Sequence, residues 1–241
     1  MKRTDNPNVD WETSMLKLQD VDKKYLEGTN AEVHAVKDAN FTVYKGEMVA
    51  LMGPSGSGKT TLLNLIGGLT PATSGLIKIN NIEVTELSEE ERTKLRRNNI
   101  GYIFQHFNLL EFLTAEQNVM LPLLTQGLPN DQAKRRTTMM LRELGLGGRL
   151  EHFPNELSGG QEQRVAIGRS LITNPAIILG DEPTGDLDRV SEEGVMKMFR
   201  RINREKKQTL LLVTHSEWIG SKCDRIIRIE NGRIVSTGLE D

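Results

Sequence analysis

The chain has 241 residues, enough for one large domain or two small ones, and its formal net charge of −2 argues against a general nucleic-acid-binding protein. The single cysteine, Cys223, excludes an internal disulfide framework and a cysteine-rich metal site, and it suits a reducing compartment. No apolar run approaches the roughly 18 residues that span a bilayer, so we expect a cytosolic chain that associates with a membrane only through another polypeptide.

The N-terminal part of the chain changes from polar to alternating sequence. Residues 1–13 show no periodicity and predict a mobile tail before one ordered domain over residues 14–241. Alternation around residues 15–19 predicts a half-buried strand, and a second strand follows over residues 33–43. Tyr25 lies between them. Its ring suits two uses, stacking on a purine base or closing the edge of a sheet, and the residues alone leave both open.

The next element carries the strongest chemical signal. Residues 53–61 fit the P-loop pattern, in which backbone N–H groups of a glycine-rich turn surround nucleotide phosphates, while a lysine supplies positive charge and a threonine a hydroxyl for Mg²⁺. The apolar run 48–52 predicts a buried strand before the loop, and residues 60–66 predict a helix after it, so phosphate meets a helix N-terminus. The assigned residues are Gly53, Pro54, Ser55, Gly56, Ser57, Gly58, Lys59, Thr60 and Thr61.

Beyond the P-loop helix the pattern alternates and then becomes helical. Residues 75–84 predict two short strands joined by a turn, and residues 88–97 predict a charged helix that begins at a capping box. The strand over residues 100–104 places Gln105 at its end, where polar residues of α/β sheets face a ligand crevice; an ordinary loop position is the alternative. Helical periodicity over about 106–160 predicts a helical subdomain inserted into an α/β core.

A second candidate anion site lies at the end of this subdomain. The helix predicted after Ser158 begins with Gly159, Gly160 and Gln161, which leaves two glycines and a hydroxyl at a helix N-terminus. The P-loop already supplies one phosphate site, and one chain rarely needs two for one nucleotide. The simplest explanation is that this second site caps the nucleotide of a neighbouring copy of the chain.

The apolar strand over residues 176–180 ends in two adjacent carboxylates. Asp181 is suited to hold Mg²⁺ through water, and Glu182, pointing to the other side, to accept a proton from an attacking water. A solvated turn is the alternative for such a pair, but an apolar strand in a P-loop protein disfavours it.

The C-terminal part continues the α/β pattern. We predict a helix over residues 191–205, a strand over 209–213 that His215 closes, and a hairpin over 225–237 with an Asn-Gly turn. The other histidines lack paired ligand spacing and receive no metal role; they are His34, His106 and His152.

In order and spacing, these motifs resemble the nucleotide-binding subunit of ATP-binding cassette (ABC) transporters. The resemblance covers about residues 15–237, and the signature over residues 157–161 is specific to that family. Residues 104–110, 121–123 and 180–185 look most like the branch that serves lipoprotein release, macrolide export and cell-division complexes. The family implies an α/β fold, with a P-loop NTPase core, an N-terminal antiparallel β subdomain and an inserted α-helical subdomain.

The resemblance implies a role for each matching position within one subunit. Tyr25 would stack on adenine, and Gln105 would reach Mg²⁺ and relay the nucleotide state to the helical subdomain. Glu182 would be the general base, and His215 would brace the γ-phosphate and the attacking water. The catalytic set would be Lys59, Gln105, Glu182 and His215, and the Mg²⁺ set Thr60, Gln105 and, through water, Asp181.

Other implied roles lie between subunits. Ser158 and Gly160 would contact the γ-phosphate held by the opposite subunit of a head-to-tail homodimer that encloses two ATP molecules, and Asp188 would link the two sites. ATP-driven dimerisation would power separate transmembrane permease subunits, which hold the chain on the cytoplasmic face of the membrane. A signalling complex of the cell-division type, which moves no substrate, would use the same ATPase, and the residues do not separate the two.

Four positions depart from the commonest pattern of the family. Glu162 stands where Gln is usual, Gly168 and Ser170 replace alanines in the following helix, and Ser216 replaces the usual Asp. Gly168 should weaken its helix by up to ~1 kcal/mol relative to Ala. None of these changes removes a catalytic group, so we expect an active Mg²⁺-dependent ATPase with altered dimer affinity.

Overall fold

Two β-sheets organise the chain in the computed structural model, which describes residues 9–238. In chain order the strands are β1 (Asp10–Tyr25), β2 (Val33–Lys45), β3 (Met48–Met52), β4 (Ser74–Ile79), β5 (Ile82–Glu83), β6 (Ile100–Ile103), β7 (Ile177–Asp181), β8 (Thr209–Thr214), β9 (Arg225–Glu230) and β10 (Arg233–Ser236). The α-helices are α1 (Lys59–Ile66), α2 (Glu89–Asn99), α3 (Ala115–Thr125), α4 (Asn130–Glu143), α5 (Gly159–Leu171), α6 (Arg189–Lys206) and α7 (Glu217–Gly220).

The two sheets differ in the direction of their strands. One is antiparallel, in the order β2-β1-β4-β5, and the other has the order β10-β9-β3-β8-β7-β6 with all neighbours parallel except β9 and β10. The predicted antiparallel subdomain and P-loop core are therefore confirmed. Because β3, β6, β7 and β8 run in the same direction, their carboxyl ends meet at one edge of the sheet.

The central strands are buried on both faces, as their continuous apolar sequences predict. In β8, Leu211 and Val213 pack in the cluster that includes α1 and the antiparallel sheet. Leu210 and Leu212 pack on the opposite side, in the cluster that includes Phe199 of α6. The parallel sheet is thus the middle layer of the core and holds the strand ends rigidly.

The helical subdomain has its own small core. Val119, Leu123 and Leu141 from α3 and α4 pack with Val165 of α5, so α5 joins this subdomain to the parallel sheet. Thr114 begins α3 with a capping box, in which Gln117 N donates to Thr114 Oγ1 at 3.2 Å. The predicted helical insertion is confirmed.

Some predicted boundaries differ from the structure. The predicted start of order at residue 14 is too late, because β1 already begins at Asp10, which lies opposite Lys45 of β2. Pairing with β2 outweighs the polar composition of residues 10–13. The rest of the predicted tail, residues 1–8, lies outside the described residues. Helix α7 was not predicted, since its four residues are too short to show periodicity.

A buried ion pair joins the two sheets. Glu47 in the turn between β2 and β3 and Arg225 at the start of β9 are both buried, and Arg225 Nε donates to Glu47 Oε1 at 2.5 Å. The same guanidinium donates to the carbonyl oxygens of Thr42 and Thr237. Arg225 thus connects the parallel sheet, the antiparallel sheet and the segment after β10.

Replacing Arg225 with Met is expected to lower the free energy of unfolding by about 3–5 kcal/mol, because it leaves the Glu47 carboxylate buried without its cation. The double variant Arg225→Met/Glu47→Leu should recover much of this loss. Urea denaturation followed by circular dichroism measures both. Lys78→Met removes an exposed pair with Glu83, 3.4 Å apart, and should cost less than about 1 kcal/mol. Equal losses in the single and double Arg225 variants would contradict the argument.

Candidate active site

A groove of about 650 Å³ lies at the carboxyl edge of the parallel sheet. The P-loop and the ends of β7 and β8 form one side, and the antiparallel sheet closes the other. The groove brings together predicted residues that are far apart in the sequence: Tyr25, Ser55, Gly56, Gly58, Lys59, Thr60, Thr61, Gln105, Asp181 and Glu182. Three polar side chains that were not predicted also line it, namely His34, Lys37 and Asn231.

The conformation of the P-loop explains its glycines. Gly58 has a φ of 103° and ends the loop at the N-cap of α1. A Cβ at Gly58 would lie 2.5 Å from the carbonyl oxygen of Ala35, and one at Gly53 would lie 2.1 Å from that of Ile229. The loop is therefore pressed against β2 and β9 at positions where only glycine fits.

Lys59 and the start of α1 give the groove a positive end. The Lys59 ammonium donates to the carbonyl oxygens of Gly53 at 2.9 Å and Pro54 at 2.8 Å. An ammonium has three donors, so one remains for an anion in the groove. The first N–H groups of a helix also lack intrahelical acceptors. Together these donors make the P-loop suited to bind phosphate.

The end of β7 supplies the opposite charge. Thr60 Oγ1 donates to Asp181 Oδ1 at 3.3 Å, and Gln105 lines the groove with them. Burial raises the pKa of Asp181 above its ordinary value; the nearby Glu182 carboxylate adds to this, while the Thr60 hydrogen bond and Lys59 oppose it. A divalent cation here would favour the charged carboxylate. Hydroxyl, carboxylate and amide oxygens are ligands that Mg²⁺ prefers, so these residues fit that ion.

Glu182 lines the groove, and His215, which is not among the lining residues, contacts it. His215 Nδ1 lies 3.0 Å from Glu182 Oε1, and the imidazole is exposed whereas the carboxylate is mostly buried. Glu182 has a left-handed backbone with a φ of 45°, and its N–H donates to the carbonyl oxygen of Val213 at 3.0 Å. A left-handed non-glycine residue is strained, and such strain clusters at functional sites.

Tyr25 is the predicted base-binding residue, and it lines the groove. It is the last residue of β1 and lies opposite Val33 of β2, so it does close the edge of the antiparallel sheet. Its ring is nevertheless 38% exposed and faces the groove, with the Lys23 ammonium 4.9 Å from its centroid. Both uses considered for this residue are compatible with its position.

The second candidate anion site does not line the groove. Ser158 N donates to the Gln161 side chain at 3.0 Å at the start of α5. A Cβ at Gly160 would lie 2.9 Å from Ser191 Oγ, so this helix start is packed against the start of α6. There Asp188 caps α6, accepting from Val190 N at 2.9 Å and Ser191 N at 3.1 Å. The predicted site residues therefore form two separate groups.

Comparison with known proteins decides the family. The family model described as ABC transporter matches residues 36–185. The ABC transporter ATP-binding protein MJ0796 of Methanocaldococcus jannaschii is 43% identical over 224 residues, which cover 91% of this chain and 95% of that protein. The chain belongs to the ABC transporter family. It carries an ABC-type ATPase domain that binds ATP.

The names of two further ABC relatives state a function. The lipoprotein-releasing system ATP-binding protein LolD 1 of Rhodopseudomonas palustris is 42% identical, over 91% of this chain and 98% of that protein. The macrolide export ATP-binding/permease protein MacB of Aggregatibacter actinomycetemcomitans is 44% identical over 92% of this chain, which spans only 34% of that protein. The expected similarity to this branch of the family is confirmed.

Solved structures confirm the ABC fold. A dimeric post-hydrolysis state of the MJ0796 cassette bound to ADP and Pi superposes with a TM-score of 0.85 at 40% identity, covering 94% of this chain and all of that one. Within residues 9–238 of this ABC chain, no helix is long and apolar enough to cross a bilayer.

Proposed function

We propose that the chain is the ATP-hydrolysing subunit of a membrane complex and that it works as a head-to-tail homodimer with ATP at the interface. One observation carries this proposal: of the two groups of predicted phosphate ligands, only the one around Lys59 lines the groove, and the one around Ser158 does not. A second copy, turned head to tail, would place the Ser158 group over the groove. A related cassette is dimeric with ADP and Pi bound, which supports a nucleotide-bound dimer here.

Within each groove, different residues bind the metal ion, the phosphates and the base of ATP. Mg²⁺ would be held by Thr60, Gln105 and, through water, Asp181, and when bound it would neutralise charge on the transferring phosphate. Lys59 and the start of α1 hold the phosphate oxygens. Tyr25 stacks on the base at the other end of the groove.

We assign proton transfer to Glu182, with His215 as its partner. Glu182 accepts the proton of the attacking water, because its carboxylate lines the groove and its backbone is fixed by the hydrogen bond from its N–H to Val213 O. His215 holds the carboxylate through the 3.0 Å contact and would brace the γ-phosphate of a bound nucleotide. The Ser158 hydroxyl and Gly160 N–H of the second copy complete the site, and Asp188 lies where the two copies meet.

We further propose that a separate permease subunit binds the helical subdomain and holds the chain at the cytoplasmic face of the membrane. A second groove, of about 450 Å³, lies between α2, β6 and α3. Leu121, Pro122 and Phe104 line it, together with Arg169, which contacts the loop after Gln105. An amphipathic helix of the permease would fit this groove and reach the active site through that loop. The relative LolD 1, named as the ATP-binding protein of a lipoprotein-releasing system, supports a separate permease.

The experiment is ATP-dependent capture. A tagged Glu182→Gln chain in solubilised membranes is expected to retain a protein with membrane-spanning helices when ATP and Mg²⁺ are present. Adding Leu121→Glu should abolish this capture without changing ATP binding, because a carboxylate in the apolar groove opposes docking. Met139→Glu, at an exposed position of α4, is the matched control and should still capture it. Capture that survives Leu121→Glu would contradict the proposed docking groove, and failure to bind ATP would contradict the proposed function.

A further inference from the structure

The loop after Gln105 and the loop before Asp188 are joined by one side-chain contact. His106 Nδ1 lies 2.8 Å from Asp186 Oδ2, and both side chains are exposed. Neither residue has a role in binding or hydrolysing ATP in the assignment above, and neither lines the groove. An exposed pair of this kind contributes little to the free energy of folding. Any role of the His106–Asp186 contact therefore lies in joining the two loops.

Helix α5 holds the first of these loops. Phe107 and Asn108 both have left-handed backbones, with φ values of 59° and 48°. Their carbonyl oxygens accept from the two terminal nitrogens of Arg169, at 2.7 and 2.6 Å. The loop that starts at Gln105 is therefore fixed to α5 on one side, and His106 extends from it on the other.

The second loop rests on the same helix. The carbonyl oxygen of Pro183, just after Glu182, accepts from the buried Gln163 side chain of α5. Further along, Asp188 caps α6, and the Arg189 guanidinium lies 4.0 Å from the centre of the Trp218 ring. Both loops are thus fixed to α5 by hydrogen bonds, and the His106–Asp186 contact joins them to each other at a separate point.

The loops also approach each other beside Gln105. Gly185 has no side chain, and a Cβ there would lie 3.6 Å from Gln105 Nε2. The Gln105 amide therefore lies next to the turn that leads from Glu182 to Asp186. A shift of this turn changes the space available to Gln105, and a shift of Gln105 presses on the turn.

We propose that His106 and Asp186 are positioning residues that make Gln105 in the groove and Asp188 at the dimer face move as one unit. Through this contact, a change at the groove reaches the residues that face the second copy. The inference rests on the proposed function, because it assigns a purpose to the link between the groove and the dimer face. It adds two residues that act through Gln105 and Asp188 and touch no nucleotide themselves.

Steady-state ATP hydrolysis by the full chain tests the pair. His106→Ala and Asp186→Ala are each expected to lower kcat about tenfold and to leave the KM for ATP within about twofold, because the P-loop is untouched. The double variant should be no worse than either single variant, since both remove the same contact. Asp186→Asn should retain most of kcat, because its amide oxygen still accepts from the imidazole.

A matched control removes a similar exposed contact at the C-terminal end of α6, far from both loops. Glu143→Ala breaks the exposed Lys206–Glu143 pair, 3.3 Å apart at the opposite end of that helix, and should leave kcat unchanged. Additive losses in the double variant would overturn the proposal. A fall in melting temperature with kcat per folded chain unchanged would also overturn it, because it indicates a purely structural role.

Hydrogen exchange tests the link without any ATP turnover. In the nucleotide-free chain, either single variant should speed amide exchange in both residues 105–108 and residues 185–188. Faster exchange only in the segment that carries the substitution would overturn the proposal. If the unmodified chain does not hydrolyse ATP, the proposed function fails, and the exchange result still decides whether the two loops are coupled.

Discussion

Replacing Glu182 with Gln is expected to lower ATP turnover by about 10²- to 10³-fold while ATP binding is retained. The amide has nearly the same shape and can keep a contact with His215, 3.0 Å away in the structure, but it cannot take a proton from water at neutral pH. Because hydrolysis would reopen the dimer, the variant should accumulate as an ATP-bound dimer. Phosphate release at saturating ATP measures the first effect, and size-exclusion chromatography with ATP measures the second.

A nearby carboxylate provides the control for this variant. Glu217 on α7 is exposed and accepts from Arg228 at 3.1 Å, so Glu217→Gln makes the same chemical change outside the groove. Its turnover should match that of the unmodified chain. Near-normal hydrolysis by Glu182→Gln would refute the assignment of Glu182 as the general base.

Mixing two inactive variants is expected to restore activity. A Lys59→Ala chain has lost its own phosphate-binding ammonium but keeps an intact Ser158 site, and a Ser158→Arg chain has the opposite defect. In a mixed dimer, one composite site is intact and the other carries both defects. Since half of the dimers in an equal mixture are mixed, activity should reach about a quarter of the unmodified level.

The control mixture places both defects in the same half of the site. Lys59→Ala with Glu182→Gln should stay inactive, because Lys59 and Glu182 line the same groove and no composite site escapes both changes. Two affinity tags allow the mixed dimers to be isolated before assay. An inactive Lys59→Ala/Ser158→Arg dimer, or an active control dimer, would contradict the head-to-tail arrangement.

The sequence predicts well those parts of the fold that depend on local pattern. β8 is an uninterrupted apolar run and is buried on both faces, as expected of a central parallel strand. The P-loop is recognisable because its geometry admits only glycine at Gly58, where a Cβ would meet β2. Helix α6 begins at Arg189, before the predicted residue 191, because the cap at Asp188 precedes the periodic stretch.

The remaining features depend on contacts between distant segments. His34, Lys37 and Asn231 enter the groove only because the antiparallel sheet and the β9–β10 turn pack beside the P-loop. No residue spacing in the sequence indicates that these segments pack together. The Glu47–Arg225 pair and the His106–Asp186 contact likewise join residues far apart in the chain, and each side chain alone is typical of an ordinary surface position.

The construction of the groove from two sheets has a consequence for cooperativity. Tyr25 belongs to the antiparallel sheet and Lys59 to the parallel core, so a molecule that spans the groove adds a link between two layers already joined by side-chain packing, the buried Arg225 and the backbone hydrogen bond from Lys37 N to Gly232 O. A ligand that binds only the folded state adds its binding free energy to stability. A bound nucleotide would therefore act as a removable non-covalent cross-link between the two sheets. Each hydrolysis cycle would weaken this link, and binding of the next nucleotide would restore it.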